Sequence, residues 1–253
     1  MLDAILGFKV NSSLRINFGQ FFIPFSQENL NSNTKLETIN RSQVVEALAA
    51  RGKDVIGNQN GRDVGIQAGG NILIGEGFGP IDYAFGVFNG SGTNKPDLNN
   101  RKDLVGRLVF HPLKEISIGG SYYNGSYTLS SALTKKATRI RSGAEIAFVK
   151  EDISIKGEYI KGKDDIINRD GWYIQTGYFF IPKTFQGVLK YDSYDPNTNG
   201  KDKVQKDETD VYTYGVNWYF NKWAFLQINY ERKDEKVKNI KNNAFIGQVT
   251  LQF

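Results

Sequence analysis

The chain has 253 residues and is 40% hydrophobic, with 27 Gly, 17 Phe and 13 Tyr, a formal charge of +5 and no cysteine. It has no run of about 18 apolar residues, which excludes a transmembrane helix, and the missing cysteines exclude a disulfide scaffold. Its aliphatic content is low for a soluble core of this length, and no linker-like stretch divides it, so a single domain over 1–253 is expected.

In chain order, about thirteen segments alternate apolar and polar residues with the period of two that sends successive side chains to opposite faces of a strand: 4–10, 14–23, 62–74, 81–90, 101–111, 116–127, 137–150, 153–163, 169–181, 185–195, 209–220, 224–235 and 241–253. Tight links at 11–13, 75–80, 112–115, 151–152, 182–184 and 221–223 alternate with longer polar links such as 91–100, 128–136 and 197–208. Short turns at one end and longer links at the other are the rhythm of an up-and-down barrel. A membrane barrel strand needs only roughly 9–11 half-apolar residues, so the mean hydropathy of -0.43 is no objection. All six prolines are expected at strand ends or in links, where the missing donor costs nothing.

Parity assigns the faces. In 209–220, Tyr212, Tyr214, Val216, Trp218 and Phe220 share one side, predicted to meet lipid, while Thr213, Gly215, Asn217 and Tyr219 share the other. Trp172, Trp218, Trp223, Tyr178, Tyr191 and Tyr230 lie near strand ends, as an interfacial aromatic belt requires. At the end of the chain Phe245, Gly247, Val249, Leu251 and Phe253 alternate with Ile246, Gln248, Thr250 and Gln252. This ending, with Phe253 as the assembly signal, resembles what outer-membrane barrels present to their insertion machinery. The expected fold is all-β, a transmembrane antiparallel up-and-down β-barrel in the bacterial outer membrane.

With tight turns on the periplasmic side, both the last segment and 4–10 run inward. A single-chain bacterial barrel has an even strand count with both ends periplasmic. Either strands preceding residue 1 belong to the barrel, or it has about twelve strands from Leu14 onward, with 1–13 as a periplasmic lead-in.

One link is irregular. Residues 24–60 form a connection about three times longer than the others, with a helical stretch predicted from Arg41 to Arg51; such a length calls for a function or for disorder. Around it the sequence reads Gly19-Gln20-Phe21-Phe22-Ile23-Pro24-Phe25-Ser26, Glu28-Asn29-Leu30, Ile39-Asn40-Arg41-Ser42 and Gly61-Arg62-Asp63-Val64-Gly65. These stretches resemble the phosphate-selective porin O/P family. The resemblance implies a sixteen-stranded barrel, a homotrimer, whose third extracellular loop folds into the pore, where basic residues guide anions such as phosphate. With three strands ahead of residue 1, 24–60 becomes that inward-folded constriction loop. Asn40 stands where the family often has an acid, which weakens any transfer of detailed anion chemistry to that position.

The candidate pore and anion-binding residues are Arg41, Arg62, Arg107, Arg139, Arg141 and Lys156. On the polar parity of the wall, Lys9, Arg15, Arg107, Arg139, Arg141, Lys156 and Lys190 are nearly balanced by Asp63, Asp82, Asp103, Glu145, Glu158, Asp192 and Glu231. Arg139 and Arg141 share one strand face, and guanidinium forks suit phosphate oxygens; the competing reading pairs them with Glu145. Arg41 and Arg62 are placed by the family resemblance, and the competing reading has them tether the link through Glu37 or Asp63. On the link, Lys35, Arg41, Arg51 and Lys53 face Glu28, Glu37, Glu46 and Asp54, a balance that favours small polar solutes of either sign.

Enzyme chemistry has little to stand on. His111, the single histidine, precedes Pro112 at a predicted turn as a solvated end residue, and no Cys/His metal spacing occurs. Gly69-Gly70 and the glycines of 75–79 have no following helix with which to cradle phosphate. The expectation is therefore an anion-preferring diffusion porin. A general porin for small polar solutes is the alternative, and a soluble β ligand-binding protein a more remote one. No enzymatic activity, cofactor, metal or nucleic-acid partner is expected; the expected partners are small anions, outer-membrane lipid, the insertion machinery and further copies of the chain.

Overall fold

Period-two alternation becomes strand along most of the chain. The computed structural model describes all residues except 74, 76–78, 98–100, 129–135, 200–207, 237–239 and 253, so Phe253, the expected assembly signal, lies outside the described residues. Thirteen strands follow one another: β1 (Ala4–Lys9), β2 (Arg15–Phe22), β3 (Arg62–Ile72), β4 (Ile81–Phe88), β5 (Asp103–Leu113), β6 (Ile116–Thr128), β7 (Lys136–Lys150), β8 (Ile153–Asp164), β9 (Ile167–Ile181), β10 (Phe185–Asp195), β11 (Thr209–Asn221), β12 (Ala224–Glu235) and β13 (Ala244–Leu251). They form one antiparallel up-and-down sheet in chain order, with β1 and β13 at its edges. Ala4–Lys9 pairs with β2 from Ala4↔Gln20 to Lys9↔Arg15, which makes it a wall strand and not a lead-in.

Two local expectations need correction. The link expected at 112–115 is shorter: Pro112 is the next-to-last residue of β5, a strand end as expected of the prolines, where the register with β6 slips between Phe110 and Leu113 and absorbs the missing donor. His111 is consequently a strand residue, near the end of β5 and still partly exposed, with its Nε2 2.9 Å from Asp82 Oδ2.

The faces follow parity. Tyr214, Val216, Trp218 and Phe220 are exposed while Val211, Thr213 and Asn217 are buried, and Phe245, Val249 and Leu251 point out where Thr250 points in. Toward the long links, the outward rings of Trp172 and Tyr191 are 5.0 Å apart and those of Tyr191 and Tyr212 4.9 Å. Toward the tight turns, Tyr178 meets Phe180 at 5.2 Å and Trp218 meets Phe220 at 4.7 Å. Between these aromatic levels lie exposed aliphatics such as Ile174, Leu189, Val216 and Ile228. In water a contiguous belt of this kind would drive association; between two aromatic girdles it matches a bilayer. No described helix is long and apolar enough to cross a membrane.

The buried apolar cluster sits on the concave side of the sheet. Ile23, Phe25, Val44, Val45, Leu48 and neighbouring alanines of the β2–β3 link pack on wall residues including Phe21, Phe88, Val105, Tyr123, Ile160 and Tyr173. The link folds inward because it carries its own apolar face. It contains two short α-helices, α1 (Gln27–Leu30) and α2 (Gln43–Leu48), with a 3-10 turn at Asn33–Lys35 between them. α2 is shorter than the predicted 41–51. The backbone leaves the helix at Ala49, Ala50 adopts a φ of 56°, and the Ala50 N–H is taken by Asp54 Oδ2 at 2.9 Å.

Candidate functional site

The link is fixed to the wall at two ends of its course. At one end Asp54 accepts from Arg139 of β7, Nε at 3.1 Å and Nη2 at 2.8 Å, with both side chains closed to solvent. Arg139 Nη1 also donates to Tyr123 OH at 2.5 Å, and its guanidinium lies 4.5 Å from the centre of that ring. Arg141 Nη2 is 3.8 Å from Asp54 Oδ1 and donates to Asp164 Oδ1 at 2.7 Å, and Arg169 Nε stands 3.2 Å from Asp164 Oδ2. Charges therefore alternate along a buried row, Arg139–Asp54–Arg141–Asp164–Arg169. Burial alone would raise the Asp54 carboxyl, but the charges of Arg139 and Arg141, with the Arg139 and Ala50 N–H bonds, hold it below the ordinary carboxylate range.

At the other end the link reaches strands β8–β12. Glu37 accepts from Ser154 Oγ at 2.7 Å and Gln175 Nε2 at 2.5 Å, with Lys156 Nζ at 3.3 Å. The Ile39 N–H donates to Asn229 Oδ1 at 2.8 Å, Asn40 Nδ2 to Glu231 Oε1 at 2.7 Å, and Lys190 Nζ to the Asn40 carbonyl at 2.7 Å. Gln43 Nε2 donates to Asp192 Oδ1 at 2.8 Å. The inward-facing polar parity is thus largely spent on the link. The link returns to β3 through Gly61, whose φ of +72° and lack of a side chain are required: a Cβ there would meet Asn29 Oδ1 at 1.9 Å.

A cluster of three arginines forms on the link's flank. Arg51 donates to Asn29, Nε to Oδ1 at 2.7 Å and Nη2 to the carbonyl at 2.9 Å. Arg41 donates to Asn33 Oδ1 at 2.7 Å, the Asn31 carbonyl at 2.6 Å and the Glu28 carbonyl at 3.4 Å. Arg62 pairs with Asp3, both bonds at 2.8 Å, and lies 3.7 Å from the centre of the Phe22 ring, with Arg51 at 5.9 Å from that ring. Among the described residues, Arg41 and Arg51 have oxygen acceptors that are all neutral amides or carbonyls. Burial, and after it the neighbouring charge of Arg41, pull the Arg51 guanidinium down to about 10. Arg41 is lowered as well, by burial first, with Glu28 and Glu46 opposing. Both remain charged at neutral pH.

The sequence-based candidates thus separate. Arg41 and Arg62 come together with Arg51. Arg139 and Arg141 lie in the buried row, with partners Asp54 and Asp164 in place of Glu145. Arg107 of β5 takes Glu145, through Nε at 3.0 Å and a second, shorter contact from Nη2. Lys156 lies apart from these, beside Glu37. The tethers considered for Arg41 and Arg62 are also replaced: Arg62 uses Asp3, and Arg41 uses neutral acceptors. Asp54 and Arg51 enter the sequence reading only through the charge balance of the link, not as candidate site residues, and no signal beyond their charge on an irregular link marks them.

No curated protein sequence matches this chain. Among solved structures, an anion-selective porin from Comamonas acidovorans shares 14% identity over 98% of this chain and 72% of its own, with a TM-score of 0.64. OmpT of Vibrio cholerae shares 14% identity over 91% of this chain and 69% of its own, at 0.58. OmpF of Salmonella typhi in complex with daunomycin shares 13% over 98% and 88%, also at 0.58. Identities this low establish the fold alone. The family model described as phosphate-selective porin O and P matches residues 1–139 and 121–249. Alternating strands, an apolar outer belt and an inward-folded link all agree with that match, and the chain belongs to the phosphate-selective porin O and P family, a β-barrel porin of the bacterial outer membrane.

Proposed function

We propose that this porin passes anions in preference to cations, phosphate-type solutes among them, and that residues 24–60 narrow the path as its constriction loop. The observation that carries this reading is the Arg41–Arg51–Arg62 cluster, in which two guanidinium groups are held by neutral oxygens and lack a carboxylate partner among the described residues. Arg41 lines the cavity between the link and β10–β13, whereas Arg51 and Arg62 are buried, so their charge is less screened than at the surface and an anion at Arg41 relieves the repulsion within the cluster. Lys156 and Arg107 add charge on the wall, each already partnered by an acid. Arg139 and Arg141 act on the solute indirectly, by holding the link in place through Asp54 and Asp164. The protein works as a diffusion channel without enzymatic activity, as a homotrimer inserted by machinery that reads Phe253.

The test is the reversal potential of the reconstituted channel in a KCl gradient. Arg41→Ala with Arg51→Ala should move it toward cations and weaken phosphate block of chloride current. An unchanged potential would overturn the assignment and favour a general porin for small polar solutes, the second reading, which draws support from the mixed charge of the cavity between the link and β10–β13.

A further inference from the structure

Between the link and strands β10–β13 lies a cavity of about 460 Å³ whose two sides differ in charge. On the link side it is lined by Arg41 and Lys53, and on the wall side by Asp192, Glu231 and Glu235. Each side also holds one charge of the opposite sign, which leaves an excess of one positive charge on the link side and of two negative charges on the wall side. Lys233 Nζ sits 3.3 Å from Glu231 Oε2, and Glu46 Oε2 accepts the Gly52 N–H at 3.0 Å. Asp192 and Glu231 are almost fully buried and are fixed by Gln43 and Asn40, so the acidic side is a built surface and not a set of mobile side chains.

We propose that this cavity binds solutes carrying a carboxylate and an ammonium group on one short chain, an inference that rests on the porin reading above. Charges of opposite sign on facing walls cancel for a simple ion, which gains at one side what it loses at the other. A dipolar solute gains at both sides when it lies across the cavity, its carboxylate toward Arg41 and Lys53 and its ammonium toward Glu235, the wall acid that Lys233 does not neutralise and that is only half-buried. Anion preference at the arginine cluster and dipole binding here are compatible, because the wall acid that holds the ammonium is not a partner of Arg41 or Arg51.

The probe is 4-aminobutanoate, with butanoate and butylammonium as single-charge controls of matched length. In planar bilayers, 4-aminobutanoate should reduce the KCl current of the wild-type channel at lower concentration than either control. Lys53→Gln and Glu235→Gln, both on partly or fully exposed side chains, should each weaken that block by about three- to five-fold, the scale of one lost exposed charge contact. Block by butanoate or butylammonium equal to that by 4-aminobutanoate, or block unchanged in both variants, would overturn the proposal while leaving a conducting porin. A folded protein that forms no conducting channel would instead overturn the porin reading, and this inference with it.

Discussion

Asp54 on the inward link and Arg139 on β7 are joined by two N–H bonds, at 3.1 and 2.8 Å, in a place that solvent does not reach. The pair clamps a loop to a wall 85 residues away in sequence. Removing one partner leaves the other charge buried and uncompensated, so Asp54→Asn should cost about 3–5 kcal/mol of the link's attachment. The barrel wall should survive that loss, because its ladders do not depend on Asp54. The expected readout is a heat-modifiable barrel that still folds but whose single-channel current becomes noisy and whose link is cut by protease. A quiet, protease-resistant variant would contradict the clamp.

The same pair sets a pH dependence. The folded pKa of Asp54 lies below its unfolded value, so its contribution is fully present above roughly pH 4–5 and is lost as pH falls through the folded value. Wild-type current should therefore stay quiet through mildly acidic solution and become noisy only below the ordinary carboxylate range. Onset of noise near neutral pH would place the control elsewhere.

The outer belt supplies a third prediction. Leu189 and Val216 are exposed on the lipid side near the middle of their strands, and Arg at either should cost about 2–4 kcal/mol of barrel stability. Arg at Gln248, half-buried on the inward parity of β13, should be tolerated. Thr213 shares the inward parity but is buried, so it should not accept Arg as freely as Gln248 does. Urea unfolding in lipid vesicles would measure all four, and a lower cost at Val216 than at Gln248 would invert the assigned faces.

The faces were legible in the sequence because strand parity is local: Tyr214, Val216 and Trp218 need no partner to declare their side. The thirteen segments were legible for the same reason. The fate of Arg139 and Arg141 was not. Both were placed on the inward face correctly, but what they meet there is Asp54, and that depends on the path of a link with no periodicity to fix its register. Arg51 was equally hidden, because its surroundings, Asn29 and Phe22, assemble only when the link closes back on itself at Gly61. The link at 112–115 was read too long because proline usually ends a ladder, and here a register slip accommodates it within β5.

Phe253 gives a fourth prediction. Leu251 is outward, and by sequence alternation alone Phe253 has the parity of Leu251. Deleting Phe253 should reduce the yield of heat-modifiable barrel in cells, whereas Gln252→Ala should not. Equal yields would show that assembly does not read this residue.

The last prediction isolates Lys156. Its ammonium lies 3.3 Å from Glu37 Oε1 and is about a quarter exposed, so the pair is largely neutral toward a passing ion. Glu37→Gln keeps an oxygen acceptor for Ser154 Oγ and removes the negative charge. Lys156 is then left uncompensated on the inward face of β8, and the reversal potential should move further toward anions. The shift should be clear at 0.1 M salt, where the Debye length is about 10 Å, and should shrink at 1 M, where it is about 3 Å. Adding Lys156→Met to Glu37→Gln should cancel it. If Glu37→Gln leaves the ion preference unchanged, or if the added Lys156→Met does not reverse the shift, Lys156 is not a charge that permeating ions feel, and its pairing with Glu37 serves only to hold the link against the wall.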